Sequence, residues 1–496
     1  MLKFIVGLFM LFIPPLAPAQ TTLEKTVSVP QPQEKDSRYF YVPFDVPRNA
    51  KSLTISYEYD KKGGANVLDL GVFDTRFDVA ETNTKGFRGW SGGRRNTIFI
   101  SENEATNGYV TGKLPFGQWR VILGLYKVVP EGVSVTIKVK INEVEAAARE
   151  QFTEEKAKAF DFPEIERTAP PTANGYTWFR GDLHTHTFHS DGNWTIKGIL
   201  DYAQANNMDF VGITEHNTFS HHAEIDSLAV NYKNLLVLRG EEVTTYGGHF
   251  NVWGLPKNEL VDFRITPKDT RRLRGVVDRV RKLGLTASIN HPTALCGGCN
   301  WSYGDWSVMD SVEIWNGAWD SQDEAALRVW DELLQKGFRL TAIGSSDSHS
   351  PPTETNGYST NLAIGSPTNY VGMKKLTQNE LLTAIKNGRV WVGDAPTNHS
   401  LEFSASNGLR INIGDLAASL NNKIRIDCRA KNFPIGATVS LISNNKVLLR
   451  EKIEQTEYIF AKEFESEKNL YFRLEVRSET GAMLAFTNPI YIQTKQ

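Results

Sequence analysis

Cysteine is scarce in this chain, three in 496 residues, too few for a disulfide framework. Cys296 and Cys299 in "CGGC" have the spacing of half a zinc ribbon, but a ribbon needs a second such pair and none exists. A small loop disulfide is the expected state of that pair in an oxidising compartment. Cys428, in an apolar context, is expected in the core. Neither sign of charge is in excess, with 55 Lys and Arg against 57 Asp and Glu. That balance gives no reason to expect nucleic acid as a partner. Nothing resembles a dinucleotide fingerprint or a phosphate loop, and "GSSDS" near residue 345 lacks the flanks of a nucleophile elbow. After the first nineteen residues no apolar run is long enough to span a bilayer.

Residues 1–19 read as an export signal. Lys3 supplies the positive start, "FIVGLFMLFI" the apolar segment, and Ala17-Pro18-Ala19 a small-residue cleavage site. The expected mature chain begins at Gln20 and is secreted or periplasmic. No cysteine follows the cleavage site to take a lipid, so a lipoprotein is not expected.

Length alone allows about three domains. From Phe40 to Ile141 short β-type runs such as "SLTISYEY" and "VSVTIKVKI" alternate with Gly, Pro and Asn turns, the pattern of a β-sandwich-like domain over 20–145. An Ala- and charge-rich stretch ending in prolines, 146–174, reads as a helical linker. Over 175–398 strands alternate with helices, the signature of a parallel α/β architecture. Helices are expected at 195–207, 321–336 and 377–387, the last two opened by capping boxes Ser321-x-x-Glu324 and Thr377-x-x-Glu380. After His399 the two-residue period returns, as in "KIRIDCRA" and "YFRLEVR", for a second β-sandwich-like domain over 399–496.

Seven strand-like runs mark the middle domain, and residues suited to metals sit where those runs end. His184 and His186 close the first, His216 the second, Glu241 and Glu242 the third, His291 the fifth, and Asp347 and His349 the seventh; His249 opens the fourth. In a barrel of parallel strands the carboxyl ends converge on one mouth. Within "HTH" two residues of an extended segment point the same way, so His184 and His186 can grip one ion. Mixed imidazole and carboxylate ligation suits zinc, manganese or iron. Several such ions close together activate water for hydrolysis.

"DLHTHTFHSDG", "ITEHN", "GEEVTTYGGHFNVWG", "NHP" and "GSSDSH" resemble, in order, the motifs of the PHP (polymerase and histidinol phosphatase) superfamily, in its CehA/McbA-like branch of carbaryl-hydrolase-type metallohydrolases. The resemblance covers about residues 176–397. It implies a distorted (β/α)7 barrel holding two or three divalent ions. By the same resemblance His184, His186, Glu242 and Asp347 hold a first ion, Glu242 bridges to a second held by His249 and His291, and Asp191, His216 and His349 take a third. A metal-bound hydroxide would then attack a phosphoester, carboxyl ester, amide or carbamate of a small-molecule substrate. Glu242 rather than Glu241 fits the family's Gly-x-Glu pattern, and alternation lets only one of the two face the mouth. Position 215 is Glu where the family has Asp, a change expected to retune His216. "CGGCNW" has no counterpart assigned from the family.

His189 is a candidate proton donor or substrate contact, weighed against an ordinary loop histidine. His221 and His222 read as surface residues at a helix start, and His399 as structural. Trp194, Trp301, Tyr303 and Trp306 read as a substrate wall or as core. A reading of another class stays open, a non-catalytic glycan- or protein-binding module on a spent barrel; a degenerate site would show losses, and all nine positions carry competent ligands.

Overall fold

The computed structural model describes residues 20–78, 83–142 and 176–493, apart from 353, 356–357, 360–362, 408, 419–422 and 466–470. The expected export signal and the expected linker at 146–174 lie outside the described residues. No described helix is long and apolar enough to cross a membrane.

Eight strands come first: β1 (Gln20–Val29), β2 (Tyr39–Val46), β3 (Ser52–Tyr59), β4 (Val67–Phe73), β5 (Phe87–Trp90), β6 (Thr97–Ser101), β7 (Gly117–Lys127) and β8 (Val133–Asn142). They form two antiparallel four-stranded sheets, β1-β8-β3-β6 and β2-β7-β4-β5. Alternation places Val133, Val135, Ile137, Val139 and Ile141 on one face, where they pack with Leu68, Leu70, Leu123 and Leu125 of the other sheet. A second part of this sandwich faces elsewhere. Tyr39, Phe73, Phe87, Trp90 and Ile122 share a core with Phe250, Trp253 and Phe263 of the middle region, so the two are built against one apolar interior.

The middle region is mixed α/β. The seven expected runs appear as β9 (Thr177–Asp182), β10 (Phe210–His216), β11 (Leu236–Thr245), β12 (Gly248–Trp253), β13 (Thr286–Ile289), β14 (Ser311–Asn316) and β15 (Thr341–Ser345), hydrogen-bonded side by side in that order. The expectation of parallel strands needs correction at β12, which pairs antiparallel with both β11 and β13. Only two residues, Tyr246 and Gly247, join β11 to β12. A hairpin is all they can make, because a parallel crossover takes a dozen residues or more.

The hydrogen-bonded path then leaves β9 for two strands the sequence reading did not count, β18 (Thr368–Met373) and β19 (Val390–Gly393), reached past the two-residue strands β16 (Glu354–Thr355) and β17 (Tyr358–Ser359). The strands lie in a fifteen-stranded sheet, and it does not close by strand pairing into the expected (β/α)7 barrel. Where β15 approaches β18, the Asn369 side chain bonds both the amide and the carbonyl of Gly344. Five helices, α1 (Ile196–Ala205), α2 (His222–Ala229), α3 (Thr270–Lys282), α4 (Ser321–Gln335) and α5 (Gln378–Lys386), accompany the described strands. Thr377 caps α5 as expected, and Thr195, placed inside the first expected helix, caps α1. At α4 the capping box lies one residue earlier than expected, with Asp320 and Asp323 exchanging bonds rather than Ser321 and Glu324.

The sheet runs on through β19 into the C-terminal strands β20 (Tyr471–Arg477) and β21 (Met483–Thr487), β21 pairing antiparallel with β19. Tyr370 and Trp391 stack at 3.7 Å and belong to the C-terminal core. Arg473, Asp331 and Glu475 form a buried ion network that joins β20 to α4.

Candidate metal centre

The antiparallel turn of β12 decides the geometry of the mouth. His249, near the start of β12, lies at the edge where β9, β10, β11, β13 and β15 finish, because β12 runs the other way. All nine candidate ligands therefore meet. Three groups bring their ligand atoms within 4.8 Å of one another: His184, His186 and Asp347; Glu242, His249 and His291; and His186, Asp191, His216 and His349. The groups touch through Glu242, whose oxygens stand 3.3 Å from His184, 2.8 Å from His216 and 3.1 Å from His249.

Burial grades the site. His184 and His186 are fully buried, whereas the side chains of Asp191 and His349 are 43% and 36% exposed. Solvent and ligands therefore reach the centre over the Asp191–His349 side. A cavity of about 360 Å3 opens there, lined by seven of the nine ligands together with Thr293, Asn316, Gln322, Cys296 and Cys299, and among the described residues by no Lys or Arg.

The donor set fits divalent metal. Buried atoms of five candidate ligands, Nε2 of His184, Nδ1 and Nε2 of His186, Oδ1 of Asp191, Nδ1 of His291 and Oδ1 of Asp347, make no hydrogen bond among the described residues. Such groups normally find partners. His184 Nε2 stands 3.3 Å from both Glu242 and Asp347 without hydrogen-bond geometry, the arrangement of lone pairs aimed at a shared point between them.

The charges are mutually dependent. Burial would raise Glu242 and Asp347, yet the surrounding histidines hold both well below the usual carboxylate range. Burial would lower His216 and His349, yet Asp191, with Glu242 on His216 and Asp347 on His349, pushes them up to about 10 and about 9. His186 goes down to about 3, depressed by burial and then by the charges of His349 and His216.

Supporting residues fix the rings. Glu313, on β14, accepts from the backbone N–H of His291 at 3.0 Å and faces His184 Nδ1 at 3.1 Å. Asn290 donates to Glu242 at 2.9 Å. Thr244 meets His216 Nδ1 at 2.5 Å. Asp182, buried, accepts from the backbones of His184, Ser346 and Gly365, tying the first motif to the last. His291 and Asp347 both hold positive φ, 26° and 52°, conformations that surrounding structure must impose on such residues.

The other expected residues fall differently. Glu241 points away from the mouth and accepts from the Val261 amide at 2.7 Å. Glu215 accepts from Thr187 and Ser190, bracing the loop between His186 and Asp191, with no bond to His216. His189 does not join the cluster; it bonds Ser220 at 2.8 Å and Glu224 at 3.0 Å. His221 and His222, expected on the surface, are both fully buried. α2 begins beneath β11, where His221 meets the Gly240 carbonyl at 3.0 Å and His222 accepts from the Asn258 amide at 3.2 Å. His399 stacks on Phe433, a structural position. Trp194 is core, donating to Ser348 at 3.0 Å, and Trp301 and Tyr303 are buried. Cys296 and Cys299 form the disulfide, and it borders the mouth.

Two contributions escaped the sequence reading. Glu313 carried a signal, a lone acid inside the apolar run "SVEIW". The other is "WSGGRR", residues 90–95, a sandwich loop laid across the mouth. Arg95, buried there, donates to the carbonyls of Ser190 at 2.9 Å and Phe188 at 2.6 Å.

No protein-family model matches the chain. It is similar to the uncharacterized protein MJ1587 of Methanocaldococcus jannaschii, 27% identical over 174 residues, covering 32% of this chain and 96% of that protein. Among solved structures it is similar to a two-domain protein of Bacteroides vulgatus described as containing a predicted PHP-like metal-dependent phosphoesterase, with 17% identity, a TM-score of 0.39 and coverage of 67% of this chain and 100% of that one. It is also similar to an amidohydrolase of Chromobacterium violaceum, with 16% identity, a TM-score of 0.25 and coverage of 36% and 91%.

Proposed function

We propose that this chain is an exported metal-dependent hydrolase of the PHP type, of the CehA/McbA-like branch, that acts on a small molecule. One observation carries the reading: three adjoining ligand groups, two of them sharing His186 and all within reach of Glu242, include buried donor atoms with no hydrogen-bond partner among the described residues. Divalent ions held there, zinc, manganese or iron, supply Lewis acidity that activates water and polarises the scissile group. The chain's residues do the rest. Glu242 stands between the groups and sets their spacing, Glu313 and Thr244 orient His184 and His216, and the full burial of His184 and His186 keeps bulk water from them. Asp191 and His349, on the open side, stand where a substrate would enter.

Within the hydrolases, the described residues lining the inner cavity include no Lys or Arg, which favours an uncharged ester, amide or carbamate over a phosphate, whose charges are commonly met by such cations. The test is turnover of matched aryl phosphate, ester and carbamate substrates by residues 20–496 loaded with manganese or zinc, beside Asp347→Ala. Metal-dependent turnover lost in the variant supports the reading. Turnover of the phosphate alone moves the bond class, and full turnover and metal content in Asp347→Ala overturn the site.

A further inference from the structure

A second cavity, about 480 Å3, continues from the metal centre into the N-terminal sandwich. Asp191, His216 and His249 form its inner wall; Asp69, Trp90, Gly92 and Tyr126 form its outer one. Asp69 is held from one side only. The Tyr246 hydroxyl donates to its Oδ2, reaching in over Gly124, where any Cβ would meet that hydroxyl at 1.9 Å. Glycine at 124 is therefore what lets this tyrosine of the β11–β12 turn enter the sandwich.

The other oxygen, Asp69 Oδ1, makes no hydrogen bond among the described residues and lies 3.8 Å from where a Gly92 side chain would begin. Trp90 Nε1, likewise without a hydrogen bond among the described residues, lies 3.9 Å from the same point. A Cβ at Gly92 would stand in ordinary van der Waals contact with both atoms, so the two lie on one stretch of the cavity wall. An acceptor and a donor on one wall can both be met by a hydroxyl, which donates to the carboxylate and accepts from the indole N–H. An ammonium group would leave the indole unmet, and an anionic group would be set against Asp69. Arg94 at the rim is already engaged, donating to Asn193 at 2.8 Å.

We propose that Asp69 and Trp90 form a subsite that receives a hydroxyl group of the substrate, away from the bond that is cleaved, so that the natural substrates are hydroxyl-bearing esters, amides or carbamates. This rests on the hydrolase reading. The test uses the metal-loaded full chain and aryl esters that differ by hydroxyls alone, glycerate against propionate, with aryl acetate as a small reference and the metal content of every sample measured. Wild type is expected to favour glycerate in kcat/KM by about tenfold or more, since a site built to bond a hydroxyl rejects the analogue lacking it. Asp69→Ala and Trp90→Phe should each bring the ratio towards one with metal content intact. Trp90→Phe keeps most of the packing and serves if Asp69→Ala does not fold. A wild-type ratio near one, or a ratio that survives in both variants, overturns the subsite and leaves the hydrolase standing. No turnover even of aryl acetate with metal bound overturns the hydrolase reading and the subsite with it.

Discussion

Two sets of buried histidines lie side by side in this protein. His184, His186, His216, His249 and His291 gather around Glu242, while His221 and His222 sit a short way behind, at the start of α2. Burial does not separate them. Each set includes ring nitrogens without a hydrogen bond among the described residues, since His221 Nδ1 and His222 Nε2 also lack partners there. Carboxylates separate them. Burial, then its histidine neighbours, depress His221, and burial, then Arg239, takes His222 down to about 3; in the other set His186 also falls to about 3, but Asp191 and Glu242 overcome burial to push His216 up to about 10. A buried imidazole is a structural group by default, and acids aimed at the same point turn a cluster of them into a ligand set.

Glu242→Ala should break the difference most. It removes the residue that joins the groups, so bound metal should fall by at least one ion per chain and turnover to background, measured by elemental analysis beside the assay. Glu313→Gln should follow, because it weakens the hold on His184 and the His291 backbone while sparing every candidate ligand; a loss of about 10- to 100-fold in metal affinity or activity is expected. His221→Ala should do the opposite. It removes a buried ring and its bond to the Gly240 carbonyl, so stability should drop by about 1–3 kcal/mol in denaturant unfolding, with metal content unchanged; loss of metal there would erase the distinction.

The smallest effect is in protons. In the metal-free site His216 and His349 titrate at about 10 and about 9, raised above the ordinary value of about 6.5. At pH 8 both carry a proton that a metal must displace, so metal affinity should rise with pH as those protons become easier to lose. Calorimetric titration at pH 8 in buffers of different ionisation heat should show proton release. His221 and His222, lowered instead, are neutral there and contribute none.

Much of the centre was legible because metal ligands carry their own pattern. The runs and the H-x-H step follow from strand alternation, which also lets only one of Glu241 and Glu242 face the mouth; the family resemblance pointed to Glu242, and His249 was picked out at the start of its run. Its convergence, however, rests on β12 running antiparallel, which the two-residue link to β11 dictates and a parallel reading overlooks. The burial of His221 and His222 depends on what packs over α2, and one helix's own sequence does not say which neighbour covers it. "WSGGRR" reads as a turn in isolation. Its part at the mouth comes from a core that joins Trp90 to Phe263, more than a hundred residues away in sequence. Glu215 shows the limit of motif reasoning: the altered acid braces Thr187 and Ser190 rather than the neighbouring histidine.

The most direct test is anomalous diffraction from crystals of residues 20–496 grown with manganese. The account predicts two or three peaks inside the mouth, at least one of them in contact with Glu242 and none beside His221 or His222. Well-ordered crystals in excess manganese with no peak among the nine candidate ligands would contradict it.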